Sequence, residues 1–189
     1  KQLFEKTDFS LKVMEEGEYE RCDFVNCIFS AIKISKINFN NCSFLGCDFS
    51  NIKFNSIGLK DVHFTECKLL GVHFNNCNPI LFEAEFNKCN LNFSSFYKLK
   101  LKNAKFNNSE MHEVDFSECD LTGASFNDCD LSGAIFDQSI LEKADFRSAF
   151  NYSIDPENNR LKKAKFSLEG VFGLLHKYDL IIEEQETDF

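Results

Sequence analysis

Nine cysteines are the side chains in this sequence with the greatest capacity for chemistry, because thiolates bind zinc and act as nucleophiles. Several lie five residues apart, as Cys22 and Cys27 do, and Cys42 and Cys47 repeat the same interval. This spacing leaves room for a zinc site or a disulfide. Buried cysteine also packs as a small apolar residue, and packing is the alternative interpretation of the set.

No other pattern in the sequence completes a catalytic or metal site. The segment Asp128-Cys-Asp-Leu-Ser-Gly133 is similar to the start of a calcium-binding loop, but Ser139 stands where such a loop needs its twelfth-position glutamate. The sequence also lacks a glycine-rich phosphate loop and paired carboxylates at apolar positions. We therefore expect a protein that is not an enzyme and that uses no metal or cofactor.

A five-residue period dominates the chain. Bulky apolar residues recur at every fifth position from Phe4 to Phe74 and, after a slip of two residues, from Leu81 to Phe166. Two positions before each of them stands a smaller residue (Cys, Ile, Val, Ala or Ser), and the other three positions are mostly polar. Neither a helix nor a simple strand has this period, so the pattern indicates a solenoid of stacked repeats.

The columns of bulky residues indicate four repeats to a coil. Residues 20 apart then stack, and one column consists almost entirely of one residue type: Phe4, Phe24, Phe44, Phe64, Phe86, Phe106, Phe126, Phe146 and Phe166. A second column contains Leu59, Leu81 and Leu101. Three-sided coils would mix the columns. The slip at 75–79 is then expected to be a bulge at one corner.

This frame decides the orientation of the cysteines and histidines. All nine cysteines fall at the small position, which faces inward. His63, His73 and His112 stand beside bulky residues and are expected to point outward, with His63 and His73 on opposite sides of the coil. A cysteine–histidine catalytic pair is therefore excluded, and packing is the favoured role for the cysteines.

The repeats resemble the pentapeptide-repeat family over about residues 4–166. Segments such as Cys119-Asp-Leu-Thr-Gly and Cys129-Asp-Leu-Ser-Gly are similar to its consensus of a small residue, Asp or Asn, Leu or Phe, Ser or Thr, and a variable residue. This resemblance implies an all-β solenoid, a right-handed quadrilateral β-helix of about eight coils.

The C-terminal residues leave the pattern and indicate a separate module. Apolar residues recur at helical spacing after Ser167, the expected N-cap, and a short apolar run follows at 180–182. We predict a β-helix over 1–166, an α-helix and short strand over 167–182 that cap the coil and form a dimer, and an acidic tail over 183–189.

Charge points to a protein partner. The formal net charge is −9, which disfavours direct nucleic-acid binding and favours a basic surface. Between Asn107 and Glu142 no Lys or Arg occurs, but nine acids expected to face solvent do: Glu110, Glu113, Asp115, Glu118, Asp120, Asp128, Asp130, Asp137 and Glu142. A basic patch of Lys98, Lys100, Lys102 and Lys105 precedes them. The alternative is ordinary solubility and protection of sheet edges.

An acidic rod with this C-terminal end resembles the Qnr, MfpA and McbG type of pentapeptide-repeat protein, and the segments 153–161 and 169–182 look most like the McbG end of that group. The resemblance implies a homodimer that mimics DNA, binds DNA gyrase or topoisomerase IV, and protects or inhibits it in the presence of quinolones or toxins. The nine acids would replace phosphates, and the dimer contact would comprise Leu168, Val171, Phe172, Leu175, Leu180 and Ile182. The competing hypothesis is a scaffold rod with an unrelated partner.

The expected location is the bacterial cytoplasm. No apolar run approaches the roughly 18 residues of a membrane span, and no signal peptide is visible. An odd number of cysteines argues for a reducing compartment rather than for a disulfide framework.

Overall fold

A computed structural model describes residues 2–183. Its strands are β1 (Leu3–Glu5), β2 (Gly17–Glu20), β3 (Asp23–Val25), β4 (Lys33–Ser35), β5 (Ile37–Asn40), β6 (Ser43–Leu45), β7 (Lys53–Asn55), β8 (Gly58–Thr65), β9 (Phe82–Asn87), β10 (Lys105–Asn107) and β11 (Ser125–Asn127). Its helices are short 3-10 turns at Phe74–Asn76, Pro79–Leu81, Gly170–Leu174 and His176–Tyr178.

The strands pair in parallel with partners one coil away. Phe24 of β3 lies opposite Phe44 of β6, and Phe106 of β10 lies opposite Phe126 of β11, each pair 20 residues apart. Beyond β11 the stacking continues as single parallel bridges, such as the one between Asp145 and Lys165. The predicted all-β solenoid with four repeats to a coil is confirmed.

Stacked aromatic columns fill the coil. In the column of Phe106, neighbouring rings lie nearly parallel, with 5.4 Å between the centroids of Phe86 and Phe106 and 5.1 Å between those of Phe106 and Phe126. Rings of different columns meet edge to face, as Phe96 and Phe106 do at 5.7 Å. Both geometries suit the quadrupole of an aromatic ring, so phenylalanine is favoured at the bulky position.

Most corners of the coil carry a left-handed residue. This residue stands two positions after the bulky one, and we call its place the corner position. Asn103, with φ at 57°, is an example. There Ala104 N–H donates to the carbonyl of Leu101 at 3.1 Å, and a positive φ at the third residue is what a type II turn needs. Gly46 meets a second demand, because a Cβ there would overlap the Asn26 side chain one coil away.

The slip forms a bulge, but it resolves one residue later than the columns predict. Asn78 accepts a hydrogen bond from Ile80 N–H at 3.0 Å and caps the 3-10 turn that Pro79 begins. Because of this turn, Leu81 does not stack in the column of Leu59. Phe82 pairs with Leu59 instead. The prediction for Leu81 is wrong, although Phe64 and Phe86 stack at 5.3 Å and keep their ladder continuous.

The repeat also lapses near the C-terminal end, where Tyr152 closes the coil. Asn151 is exposed, while the Tyr152 ring is buried and lies 5.6 Å from Phe146 and 5.9 Å from Phe166. Asn159 occupies a small inward position, is buried and donates to the carbonyl of Phe136 at 2.6 Å. These residues fill the end of the core in place of further repeats.

The predicted C-terminal α-helix and strand are not confirmed. Residues 170–178 form two 3-10 turns, and 179–183 have no regular structure. Gly173 lies so close to Tyr152 that a Cβ would overlap its ring, so the segment follows the capping ring rather than a regular helix. Ser167 does accept a hydrogen bond from Gly170 N–H at 3.0 Å, as its expected capping role requires. Of the expected acidic tail, 184–189 lie outside the described residues.

We predict that Phe106→Ala destabilises the fold by about 3–5 kcal/mol, because it leaves a cavity among the Phe columns. Urea unfolding followed by circular dichroism measures this. Ile80→Ala is the control, since Ile80 is 89% exposed and such surface changes stay within about 0.5 kcal/mol. Equal midpoints for the two variants would contradict the stacked-column account.

Candidate protein-interaction surface

The inward cysteines are confirmed as packing residues. All nine are buried and free of disulfides. In one column Cys27 N–H donates to the sulfur of Cys47 at 3.4 Å, and Cys89 N–H donates to Ser109, which fills the gap, at 3.1 Å. Burial raises the pKa of Cys119 and of Cys129 to about 12, so these thiols stay protonated and unreactive near neutral pH.

The outward histidines do not form a site with them. His63 and His73 are exposed, and His63 lies 3.4 Å from Asp61 and 3.5 Å from Glu85. Within residues 2–183 no group of three His, Cys, Asp or Glu side chains is placed to hold a metal ion. The surface chemistry of the rod therefore depends on its charges.

The positions of the nine predicted acids are described by the four faces of the coil. Between residues 104 and 149 we name each face by its bulky column: face A (Phe106, Phe126, Phe146), face B (Met111, Leu131), face C (Phe116, Phe136) and face D (Leu121, Leu141). A corner is named by the two faces it joins.

All nine predicted acids are exposed or half-exposed, but they do not share one face. Face B carries Glu110 and Asp130, face C Asp115 and Asp137, and face D Asp120 and Glu142, while Asp128, Glu113 and Glu118 occupy the A/B, B/C and C/D corners.

Cations from neighbouring coils neutralise the acids on face D and at its corner with face C. Glu118 lies 3.3 Å from Lys98, Asp120 lies 3.3 Å from Lys102, and Glu142 lies 2.6 Å from Arg160. Residues 107–142 contain no Lys or Arg, but part of their surface is still next to positive charge. The coils before and after this stretch supply the cations. The order of residues along the chain does not reveal these cations, because they lie 18 or 20 residues from the acids with which they pair.

Five acids keep an uncompensated charge. No Lys or Arg within residues 2–183 lies at ion-pair distance from them: Glu110, Glu113, Asp115, Asp128 and Asp137. Four of them lie on faces B and C and at the corner between these faces. We call these four, Glu110, Glu113, Asp115 and Asp137, the acidic B/C surface.

Asp130 lies beside this surface and organises it. It accepts hydrogen bonds from Ser132 Oγ at 2.7 Å, Asn151 Nδ2 at 2.9 Å and His112 Nε2 at 3.0 Å. Partial burial opposes ionisation, but these hydrogen bonds outweigh it and lower the pKa of Asp130 to about 2. Asp130 is therefore a structural carboxylate that links coils.

The opposite side of the rod is basic. In the predicted basic patch Lys98, Lys102 and Lys105 are paired with acids, Lys105 with Glu85 at 2.6 Å. Farther along face D and its corner with face A, three lysines form no ion pair within the described part of the chain: Lys143, Lys162 and Lys163. Between residues 104 and 163 the rod is therefore two-sided: the B/C side keeps carboxylates that have no Lys or Arg partner within residues 2–183, and the opposite side keeps lysines that have no acidic partner there.

The C-terminal segment presents apolar side chains to solvent. Of the six predicted dimer residues, Leu168, Phe172, Leu180 and Ile182 are exposed, while Val171 and Leu175 are half-buried. Leu174 packs against the core instead. A groove of about 1030 Å³ lies between this segment and the last face B repeats, with Phe150 and Phe172 in its lining. None of the helices in residues 2–183 has the length and apolar character to cross a bilayer.

Comparison with known proteins gives a family and a fold. The family model described as "Pentapeptide repeat region" matches residues 17–79 and 71–146. A trypsin-treated variant of QnrB1, described as a plasmid-mediated fluoroquinolone resistance protein, superposes with a TM-score of 0.54 at 17% identity, covering 96% of this chain and 97% of that one. The likeness supports the fold. No match was found among curated proteins.

Two further solved structures are more distant. Full-length QnrB1 gives a TM-score of 0.47 at 18% identity and covers 95% of this chain and 98% of its own. HetL, a pentapeptide repeat protein involved in heterocyst differentiation regulation from the cyanobacterium Nostoc, gives 0.30 at 17% identity, with 88% and 89% covered.

We predict that Asp130→Asn lowers stability at pH 7 and much less at pH 2. The folded pKa is about 2, below the ordinary value of about 3.9. The ionised carboxylate therefore stabilises the fold above the ordinary value, and this contribution is lost as the pH falls through the folded pKa. Urea midpoints from pH 2 to pH 7 measure the effect.

The control is Asp128→Asn, since the Asp128 carboxylate has no hydrogen-bond partner within residues 2–183; its midpoint should match the native protein at every pH. A gap between Asp130→Asn and native protein that stays constant from pH 7 to pH 2 would contradict the assignment.

Proposed function

Because this chain belongs to the pentapeptide-repeat family, we propose that it is a non-enzymatic DNA mimic in the bacterial cytoplasm. It binds a type II topoisomerase, DNA gyrase or topoisomerase IV, and protects that enzyme from quinolones or toxins. The fluoroquinolone resistance for which QnrB1 is described is the result that such binding would give.

The acidic B/C surface is the observation that carries the proposal. Its four uncompensated carboxylates lie on two successive coils, about 10 Å of rod at the spacing of parallel strands. This is roughly one charge per 2.5 Å, within a factor of two of the phosphate charge of duplex DNA at about one per 1.7 Å. A protein groove that binds DNA through Lys and Arg would therefore meet a similar charge density here.

One observation favours the scaffold alternative. The nine acids occupy three faces rather than one line, and Lys98, Lys102 and Arg160 neutralise three of them. A solenoid that only needs solubility would carry its charges in this way. The two functions differ in one testable respect: only the mimic depends on the particular carboxylates that remain unpaired.

We predict that purified protein inhibits gyrase supercoiling or restores it in the presence of ciprofloxacin, and that the triple variant Glu110→Gln, Glu113→Gln, Asp115→Asn loses this effect at least tenfold. Salt should weaken the native effect, since rim charges act through long-range attraction. Supercoiling assays over a range of protein concentrations measure both.

The matched control is the triple variant Glu118→Gln, Asp120→Asn, Glu142→Gln. It removes the same number of charges, and each triple variant includes one Asp that accepts a hydrogen bond from the N–H two residues on, Asp115 from Ser117 and Asp120 from Thr122. Equal losses in both variants would argue for total charge alone. No effect of native protein on gyrase or topoisomerase IV would favour the scaffold.

The proposal includes a homodimer formed by the C-terminal segment. Phe172 is half-exposed beside the groove that Phe150 helps to line, and Leu180 to Ile182 supply further apolar surface. Because burying such side chains contributes about 1.5–3 kcal/mol each, we predict that native protein is a dimer by light scattering and that Phe172→Glu is a folded monomer. Ile80→Glu, remote in sequence from this segment, should remain dimeric. A native monomer would remove the dimer from the proposal.

A further inference from the structure

Phe93 departs from the pattern of its position. It occupies a corner position with φ at 61°, where its ring is 54% exposed. Among the residues of the described chain with positive φ, it is the only aromatic or large aliphatic side chain. A bulky residue is disfavoured in the left-handed region, where Gly and Asn are accepted. The fold therefore gains nothing locally from this residue type.

The same column shows what the position requires for folding. Asn51, Gly71 and Gly133 occupy it in other coils with positive φ. Phe93 takes part in the ladder through its backbone, whose N–H donates to the carbonyl of His112 at 2.8 Å. The ring is not part of the hydrophobic core. A small or polar residue would therefore serve the coil equally well.

The ring stands at the edge of the acidic B/C surface. Glu113 occupies the same B/C corner one coil later, about 4.8 Å along the rod, and in that coil Glu110 and Asp115 lie on the two faces that meet there. All three carboxylates are free of Lys and Arg partners within residues 2–183. An exposed apolar ring thus lies next to uncompensated negative charge.

We infer that Phe93 anchors the partner, and that the partner surface contains an apolar pocket bordered by Lys or Arg. This inference rests on the proposed function and adds a contact that charge mimicry of DNA does not supply. Aromatic side chains in central, desolvated pockets carry much of the affinity of protein interfaces, and charges at the rim mainly steer association. The B/C corner is then the part of the rod that docks.

The test is Phe93→Gly, measured as binding of the full chain to purified DNA gyrase. Because glycine adopts positive φ without strain, the urea midpoint should equal or exceed that of native protein, while affinity falls at least tenfold. The loss should be similar at 50 mM and 200 mM salt. The loss caused by Glu113→Gln should shrink as salt rises, since salt screens charge but not apolar contact.

Leu45→Ala is the control, because Leu45 is also about half-exposed but lies in β6, several coils before the acidic B/C surface; it should bind gyrase like native protein. If native protein binds and Phe93→Gly binds equally well, the inference is wrong and the proposed function stands. If the midpoint of Phe93→Gly falls, the ring has a structural role and the inference is also wrong. If native protein does not bind gyrase, the proposed function fails and the inference fails with it.

Discussion

Parallel stacking at an interval of 20 residues is the constraint on which the rest of this molecule depends. It places Phe24 over Phe44 and Phe106 over Phe126, with the rings nearly parallel. The same ladder joins the backbone of each coil to the next, so aromatic contact and hydrogen bonding fix one register together. Stability then accumulates over neighbouring coils, and most corners hold a left-handed residue such as Asn103.

This register governs the outer surface as strictly as the core. Outward side chains also stack at intervals near 20, so Lys98 meets Glu118 and Arg160 meets Glu142 although they are distant in the chain. The charge of a segment is therefore not the charge of its surface. In the acidic coils the unpaired carboxylates are concentrated on the B/C side, while Lys143, Lys162 and Lys163 on the opposite side have no acidic partner within residues 2–183. This arrangement gives this part of the rod a direction for approaching a charged partner.

The side chains that depart from the repeat lie at its interruptions or at single exceptional positions. Tyr152 closes the core after the repeat lapses, and the glycines above it hold the C-terminal segment in short turns that leave Phe172 exposed. The bulge at Pro79 is absorbed within one coil. Phe93 departs in another way: its backbone obeys the repeat, but its side chain does not fit the position.

The sequence by itself determined the five-residue period, the four-sided coil and the inward cysteines, because a repeated local pattern states the same contact many times. It failed at Leu81 and over 167–182, since a single irregular segment has no repeats to support its assignment. The pairing of Glu118 with Lys98, and the isolation of Glu113, were decided only by the tertiary structure. Ion pairs depend on which side chains the coil brings within about 4 Å, and that distance is set by stacking across coils rather than by order along the chain.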